Sequence, residues 1–232
     1  MKINQNFFTY LLPPTCILCG DPGMEQSDLC QACRHDLHPN HPRCYRCASN
    51  IDFPATALGL CPTCTHFLPD FDETFAPFAH SHAIRHLILN LKFRHHAPSA
   101  RLLGTLLAEY VNKATDLPDC LIPVPLHKNR YRERGFNQSI EIARIIAKRL
   151  HIPLDTRSCQ RHRDTAHQVG LSGDARAENI KDAFWVSPTL EAKHVAIVDD
   201  VMTTGSTVQS LAKALKIAGC HRVQVWVCSR AC

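Results

Sequence analysis

The chain has 232 residues, 45% of them hydrophobic, and carries 26 lysines and arginines against 21 aspartates and glutamates. This composition is typical of a globular protein, and a net charge of +5 favours anionic partners only weakly. The sequence contains no run of about eighteen apolar residues, which excludes a conventional membrane-spanning helix. Residues 1–14 lack the basic start and long apolar stretch of a signal peptide, so we expect a cytoplasmic protein that does not insert into membranes.

Cysteines dominate the N-terminal part of the chain. Of the 13 cysteines, eight form Cys-x-x-Cys pairs before residue 65. In a reducing cytosol such pairs are better interpreted as metal ligands than as disulfides. Eight thiolates suffice for two tetrahedral sites, which favours structural Zn²⁺ over a redox dithiol or an iron–sulfur centre. The predicted ligands are Cys16, Cys19, Cys30, Cys33, Cys44, Cys47, Cys61 and Cys64.

The sequence leaves two arrangements of these pairs open. Their spacing suits two consecutive zinc ribbons, but the first pair could also join the third, and the second the fourth. His35, His38 and His41 lie between pairs and offer alternative ligands. The other cysteines are scattered singly and are interpreted as structural thiols: Cys120, Cys159, Cys220, Cys228 and Cys232.

A change of pattern near residue 70 divides the chain. Residues 1–70 contain few apolar residues at regular spacing, so this segment needs bound metal to fold. We predict a double zinc-ribbon module over residues 1–70, a linker at Phe67–Phe71 and a second domain over residues 71–232.

The second domain alternates helical and strand-like periodicity. Val195-Ala-Ile-Val198 is continuously apolar, as in a strand buried on both faces of a parallel sheet. We therefore predict an α/β fold, with a parallel sheet flanked by helices. Helices are predicted over Ala83–Leu91, Ala100–Val111, Gln138–Leu150 and Ser206–Ala218, and strands over Cys120–Pro125, Val195–Val198 and Val223–Cys228.

Two short segments, both predicted as loops, concentrate positive charge. Cations in such loops either stabilise negative charge on a leaving group or are simply solvated. The first segment contains Lys128, Arg130, Arg132 and Arg134, and the second contains Arg157, Arg161 and Arg163.

The segment that follows the buried strand carries the strongest functional signal. Asp199 and Asp200 come directly after the strand, and Thr203-Thr-Gly-Ser-Thr207 opens the next helix. Ligands of open α/β sheets bind at the carboxyl ends of strands. Small residues, hydroxyls and a helix N-terminus suit a monophosphate, and the adjacent carboxylates suit ribose hydroxyls or Mg²⁺. The residues thus predict a site for a phosphorylated ribose.

This order of strand, acidic pair, Thr-Thr-Gly loop and helix resembles the motif of type I phosphoribosyltransferases, which bind phosphoribosyl pyrophosphate (PRPP). The resemblance implies that the acidic pair contacts the ribose hydroxyls and that the loop binds the 5′-phosphate. It also implies a phosphoribosyltransferase-type sheet. The ligand-binding residues it implies are Val198, Asp199, Asp200, Met202, Thr203, Thr204, Gly205, Ser206 and Thr207.

Further segments narrow the resemblance to the ComF/GntX family, which is associated with competence for DNA uptake. With the cysteine pairs included, the similarity spans nearly the whole chain. The segments are Leu121–Lys128, Arg130, Arg134–Gln138, Arg163–Gln168, Leu171 and Arg176-x-x-Asn179.

Two functions follow from these patterns. The first is transfer of phosphoribose from Mg²⁺-bound PRPP to an acceptor that the sequence does not identify. Its predicted catalytic residues are Asp199, Asp200, Lys128, Arg134 and Arg163. The second is a PRPP-regulated module that binds single-stranded DNA and works with the competence machinery. In that case Tyr45, Phe53 and Phe67 could stack on bases, although they could equally be core residues of the zinc module.

Overall fold

The computed structural model of the protein describes residues 14–24, 27–51, 59–162 and 183–231. None of the helices in these ranges is long and apolar enough to cross a membrane. The helices are α1 (Gln31–His35), α2 (Pro62–His66), α3 (His82–Arg94), α4 (Ala97–Ala114), α5 (Lys128–Arg134), α6 (Gln138–Leu150) and α7 (Ser206–Ile217). The strands are β1 (Glu73–Phe75), β2 (Phe78–Ala79), β3 (Cys120–Pro123), β4 (Cys159–Arg161), β5 (Phe184–Val186), β6 (His194–Met202) and β7 (Arg222–Arg230).

A parallel sheet forms the centre of the molecule. Its strand order is β1-β7-β6-β3. The short strand β2 also pairs with β7, beyond the residues of β7 that pair with β1. All of these strands pair in parallel, as predicted for a βαβ arrangement. In this arrangement β3 and β6, which lie side by side, end at the same edge of the sheet.

The sheet is buried on both faces because residues of one strand alternate between two hydrophobic clusters. Ala196 and Val198 of β6 pack on the side of α3, α4 and α6. Val195 and Ile197 pack on the opposite side, with Val208 and other residues of α7. This burial explains why β6 has a continuous apolar sequence instead of an alternating one.

The N-terminal cysteine-rich segment packs on the same core. Leu29 and Leu37 belong to the hydrophobic cluster of α3, α4 and α6. Exposed ion pairs add to this contact, with Arg34 Nη2 lying 2.9 Å from Glu109 Oε2 and Arg101 Nη2 lying 2.6 Å from Asp28 Oδ2. Because exposed ion pairs contribute little, the buried leucines provide most of the attachment.

The structure differs from the sequence-based prediction at the first cationic segment. Lys128–Arg134 was expected to be a loop, but it forms α5. The His127 side chain accepts a hydrogen bond from the Asn129 amide at the start of this helix, and Gly135, at φ +77°, ends it. Capping at both ends explains why so polar a sequence is helical.

Two further differences concern strands. The predicted strand Cys120–Pro125 is shorter, since β3 ends at Pro123. The Val124 amide still bonds the Val198 carbonyl, but Pro125 has no N–H to continue the pairing. Sequence patterns also missed the antiparallel pair β4–β5, which lies outside the main sheet. Its strands are only three residues long, too short to show periodicity. Residues 163–182, which connect them, lie outside the described residues.

A close approach of α4 to α6 generates a stability prediction. A Cβ atom on Gly104 would lie 2.8 Å from Ile145 Cβ and 3.0 Å from the Ile142 carbonyl oxygen. We expect Gly104→Ala to lower the free energy of unfolding by about 1–3 kcal/mol, since overpacking outweighs the better helix propensity of alanine. Urea denaturation measures this change. A gain of about 1 kcal/mol, as expected from helix propensity alone, would contradict the prediction.

Candidate functional site

A cavity of about 370 Å³ opens at the carboxyl ends of β3 and β6. Val124, Leu126 and His127, which follow β3, form one wall. The end of β6 and the start of α7 form another, and α3, α5, α6 and β4 contribute charged or polar side chains. The position agrees with the rule that ligands of parallel sheets bind where the strands end.

The loop between β6 and α7, residues 203–205, lies on the cavity wall, and Met202–Thr207 all line the cavity. Gly205 precedes α7 with φ +83°, a conformation that strains other residues. A Cβ atom at this position would also lie 2.6 Å from Met202 Cε. Thr204 Oγ1 and Ser206 Oγ are 2.8 Å apart and form a hydrogen bond at the start of the helix. The loop therefore places hydroxyl groups and the N-terminus of α7 beside the same cavity.

The acidic pair reaches the cavity from β6 with a different partner for each carboxylate. Lys92 Nζ of α3 lies 2.7 Å from Asp200 Oδ2, and the Asp200 side chain is almost fully buried. Ser139 Oγ of α6 donates a hydrogen bond of 2.7 Å to Asp199 Oδ1. Among the described residues, Asp199 thus lacks the direct cationic neighbour that Asp200 has.

These partners shift the protonation of the site. Burial and the negative charge of Asp200 raise the pKa of Asp199 to about 7. Burial opposes the charged form of Lys92, but the attraction of Asp200 outweighs it and raises the pKa of Lys92. Near neutral pH the site therefore holds a charged Lys92, and the carboxyl group of Asp199 is only partly ionised.

Three arginines complete the polar lining. Arg130 and Arg134 come from α5, and Arg161 comes from β4. Arg134 Nη1 donates a 2.7 Å hydrogen bond to Gln138 Oε1, and its guanidinium carbon lies 6.0 Å from the centre of the Phe93 ring. Phe93 is 74% exposed although it lines the cavity. The cavity is thus lined by the carboxyl groups of Asp199 and Asp200, by several cations and by one accessible aromatic ring.

The structure brings together most of the predicted site residues, but not all. Asp199, Asp200, Arg134 and the run from Met202 to Thr207 line the cavity. Val198 is fully buried in the core, and its carbonyl accepts a hydrogen bond from the Val124 amide. Lys128 is exposed and is not among the residues that line the cavity in the described part of the chain. Arg163 lies outside the described residues.

Sequence patterns missed Lys92 and Ser139. Lys92 follows the apolar face of α3, where a lysine is ordinarily interpreted as a solvated surface residue. Ser139 lies in the first turn of α6, after Asn137, whose side chain caps the helix by accepting a hydrogen bond from the Ser139 amide. Neither residue carries a local signal, because the carboxylates that they contact are distant in the sequence.

The cysteine pairs form two groups in consecutive order. Cys16, Cys19, Cys30 and Cys33 form one, and Cys44, Cys47, Cys61 and Cys64 form the other, and within each group the sulfur atoms all lie within 4.8 Å of one another. Cys47 Sγ and Cys61 Sγ are 3.6 Å apart. Four thiolates around one Zn²⁺ at about 2.3 Å are separated by similar distances.

Backbone contacts also suit bound metal. The Cys33 amide lies 3.4 Å from Cys30 Sγ, and the Cys64 amide lies 3.5 Å from Cys61 Sγ, each at the start of a short helix. Such N–H donors favour thiolates and orient them for a metal. The residues fit two structural Cys₄ zinc sites, and the arrangement is consecutive, not crossed.

We expect elemental analysis of the purified protein to give two zinc ions per chain. Replacing Cys61 with Ser removes one ligand of the second group, so the zinc content should fall to one. Cys159→Ala, which changes a buried thiol outside both groups, is the matched control and should retain two. Iron in place of zinc, or equal zinc loss in both variants, would contradict the assignment.

The raised pKa of Asp199 predicts a pH-dependent cost to stability. As the pH rises from about 4 to 7, the unfolded chain loses a proton that the folded protein retains, so the free energy of unfolding falls. Asp199→Asn keeps the acceptor for Ser139 but removes the charge. It should raise the melting temperature at pH 8 by about 2–4 °C, corresponding to about 1 kcal/mol, and raise it less at pH 5. An equal rise in melting temperature at pH 5 and at pH 8 would contradict this explanation.

Comparisons with known proteins agree with both parts of the chain. A family model described as a double zinc ribbon domain matches residues 7–65, and one described as a phosphoribosyl transferase domain matches residues 137–230. A solved glutamine PRPP amidotransferase from B. subtilis is similar at 23% identity and a TM-score of 0.40, covering 58% of this chain and 26% of that one. So low a TM-score carries no argument by itself.

Two relatives of known name match nearly the whole length of the chain. The chain is 33% identical to the DNA utilization protein YhgH of Escherichia coli (strain K12), over 94% of this chain and 98% of that protein. It is 32% identical to competence protein F of Haemophilus influenzae, over 98% of this chain and 100% of that protein. The chain therefore belongs to the ComF/GntX family of competence and DNA-utilization proteins, with a double zinc ribbon and a phosphoribosyltransferase-type domain.

Proposed function

We propose that the protein binds Mg²⁺-PRPP in the cavity at the end of β6 and transfers its phosphoribosyl group to an acceptor. The observation that carries this proposal is the convergence of the Thr203–Thr207 loop and the Asp199–Asp200 pair on one cavity. The loop takes the 5′-phosphate through its hydroxyls and the N-terminus of α7. The carboxylates take the ribose hydroxyls, and their oxygens suit Mg²⁺ that arrives with the pyrophosphate.

The cations of the cavity suit the departing group. When the bond from ribose C1 to the pyrophosphate oxygen breaks, the electron pair leaves with pyrophosphate and its negative charge increases. Lys92, Arg130, Arg134 and Arg161 supply positive charge to stabilise it. A nitrogen lone pair of the acceptor then forms the new bond to C1, and the nitrogen loses its proton to water. Lys92 replaces Lys128 in this scheme because Lys128 does not line the cavity in the described part of the chain.

Isothermal titration with PRPP and Mg²⁺ tests the binding step. Thr207→Val deletes one hydroxyl donor to the phosphate, and a hydrogen bond to a charged group contributes about 1.5–3 kcal/mol, so affinity should fall roughly tenfold or more. Thr189→Val, at an exposed turn outside the cavity, should leave affinity unchanged. Ribose 5-phosphate should compete with PRPP, but bind more weakly. The proposal fails if wild type does not bind PRPP, or if both variants bind it equally well.

The acidic pair needs a separate variant. Asp200→Asn would leave Lys92 without its counterion and disturb the site beyond the ribose contact. Asp199→Asn is the cleaner change, since no ion pair joins Asp199 to another residue in the described part of the chain. It should weaken Mg²⁺-dependent PRPP binding while inorganic phosphate still binds the loop.

A second candidate function is binding of single-stranded DNA beside the same cavity. Phe93 and Tyr131 are 74% and 48% exposed and lie close to the cationic residues of α5. Accessible aromatic rings among cations suit stacked bases and a phosphate backbone. Pyrophosphate release with an added acceptor supports the enzyme, whereas salt-dependent DNA binding without release supports the binding module.

A further inference from the structure

Arg230 joins the second cysteine group to the loop that lines the cavity. It is the last residue of β7, opposite Met202 in the parallel register with β6. Its side chain is almost fully buried, at 8% exposure for the residue. Among the described residues, no carboxylate lies within ion-pair distance of its guanidinium group, which bonds neutral oxygens instead.

On one side the guanidinium contacts the zinc-ribbon segment. Nε donates a 3.0 Å hydrogen bond to the carbonyl oxygen of Cys47, one of the four cysteines of the second group. Nη2 donates a 2.8 Å hydrogen bond to Ser49 Oγ, and Cys47 Sγ itself lies 3.3 Å from the same oxygen. Arg230 therefore bonds the backbone of a predicted metal ligand directly.

On the other side Nη1 donates to the loop. It lies 3.1 Å from the Met202 carbonyl oxygen and also bonds the carbonyl oxygens of Thr203 and Ala231. In a planar trans peptide the N–H points opposite to the C=O. Holding the Met202 and Thr203 carbonyls toward Arg230 therefore turns the amides of Thr203 and Thr204 away from it. Both threonines line the cavity, so amides that are turned away from Arg230 can face a phosphate bound there.

We propose that Arg230 is a positioning residue that couples metal binding at Cys44, Cys47, Cys61 and Cys64 to the conformation of the phosphate-binding loop. The expected change in affinity for ribose 5-phosphate rests on the proposed function. Arginine suits this role because its planar fork presents five donors in fixed directions, whereas lysine has one mobile ammonium group. The positive charge of Arg230 on one side of the loop also favours an anion on the other side.

Hydrogen exchange measures the loop without any ligand. In Arg230→Lys the charge remains but the fork is lost, so amide exchange in residues 201–208 should become roughly tenfold faster while both zinc ions are retained. Affinity for ribose 5-phosphate should fall by a similar factor. Arg46→Gln is the matched control: Arg46 adjoins Cys47 and donates to the Phe71 carbonyl at 3.0 Å, so it joins the same segment to the domain without contacting the loop. Arg46→Gln should change neither the amide exchange rate of residues 201–208 nor the affinity for ribose 5-phosphate by more than about twofold.

Chelation tests the coupling itself. Removing zinc from the full-length wild type should accelerate exchange in residues 201–208, and in Arg230→Lys it should add little further. Unchanged loop exchange in Arg230→Lys with both zinc ions bound, or equal acceleration by chelation in wild type and variant, overturns the inference. If wild type binds neither PRPP nor ribose 5-phosphate, the proposed function fails, but the exchange measurements still decide the role of Arg230.

Discussion

The parallel pairing of β3 with β6 is the constraint from which the geometry of the cavity follows. Cys120 lies opposite Val195 and Pro123 opposite Val198, so the polypeptide leaves both strands at one edge of the sheet. At that edge the acidic pair, the Thr-Gly loop and the start of α6 meet. An antiparallel pairing would send these segments to opposite edges, and a shift by one residue would turn Asp200 away from Lys92.

Electrostatics at this edge are only partly balanced. Two adjacent carboxylates repel each other in a buried environment, and Lys92 compensates one of them directly. Burial and the charge of Asp200 raise the pKa of Asp199 by more than the hydrogen bond from Ser139 and the attraction of Lys92 lower it. A ligand that brings hydroxyl groups or a cation would relieve this imbalance. The site thus holds charged and polar groups in position for such a ligand, as expected of a preorganised polar site.

The zinc-ribbon segment is attached to the second domain by more than a linker. Leu29 and Leu37 pack into the core of α3, α4 and α6, and Arg230 reaches from the last strand to the backbone of Cys47. A segment with little apolar material can fold on metal ligation alone, but here it also covers a face of its neighbour. The second cysteine group and the loop between β6 and α7 are therefore both bonded by the side chain of Arg230.

Short segments of the sequence were sufficient to predict much of the fold and many residues of the candidate site. Cysteine spacing predicted the paired cysteines that form the two groups, the apolar run of Val195–Val198 predicted a buried parallel strand, and the segment from Asp199 to Thr207 predicted residues that line the cavity, since each signal lies within one short segment. Tertiary structure decided the consecutive cysteine groups, the helix at Lys128–Arg134, the position of Lys128 outside the cavity lining and the placement of Lys92, Ser139 and Arg230. Their roles depend on partners far away in the chain, and only the packing of helices and strands brings those atoms within hydrogen-bond distance.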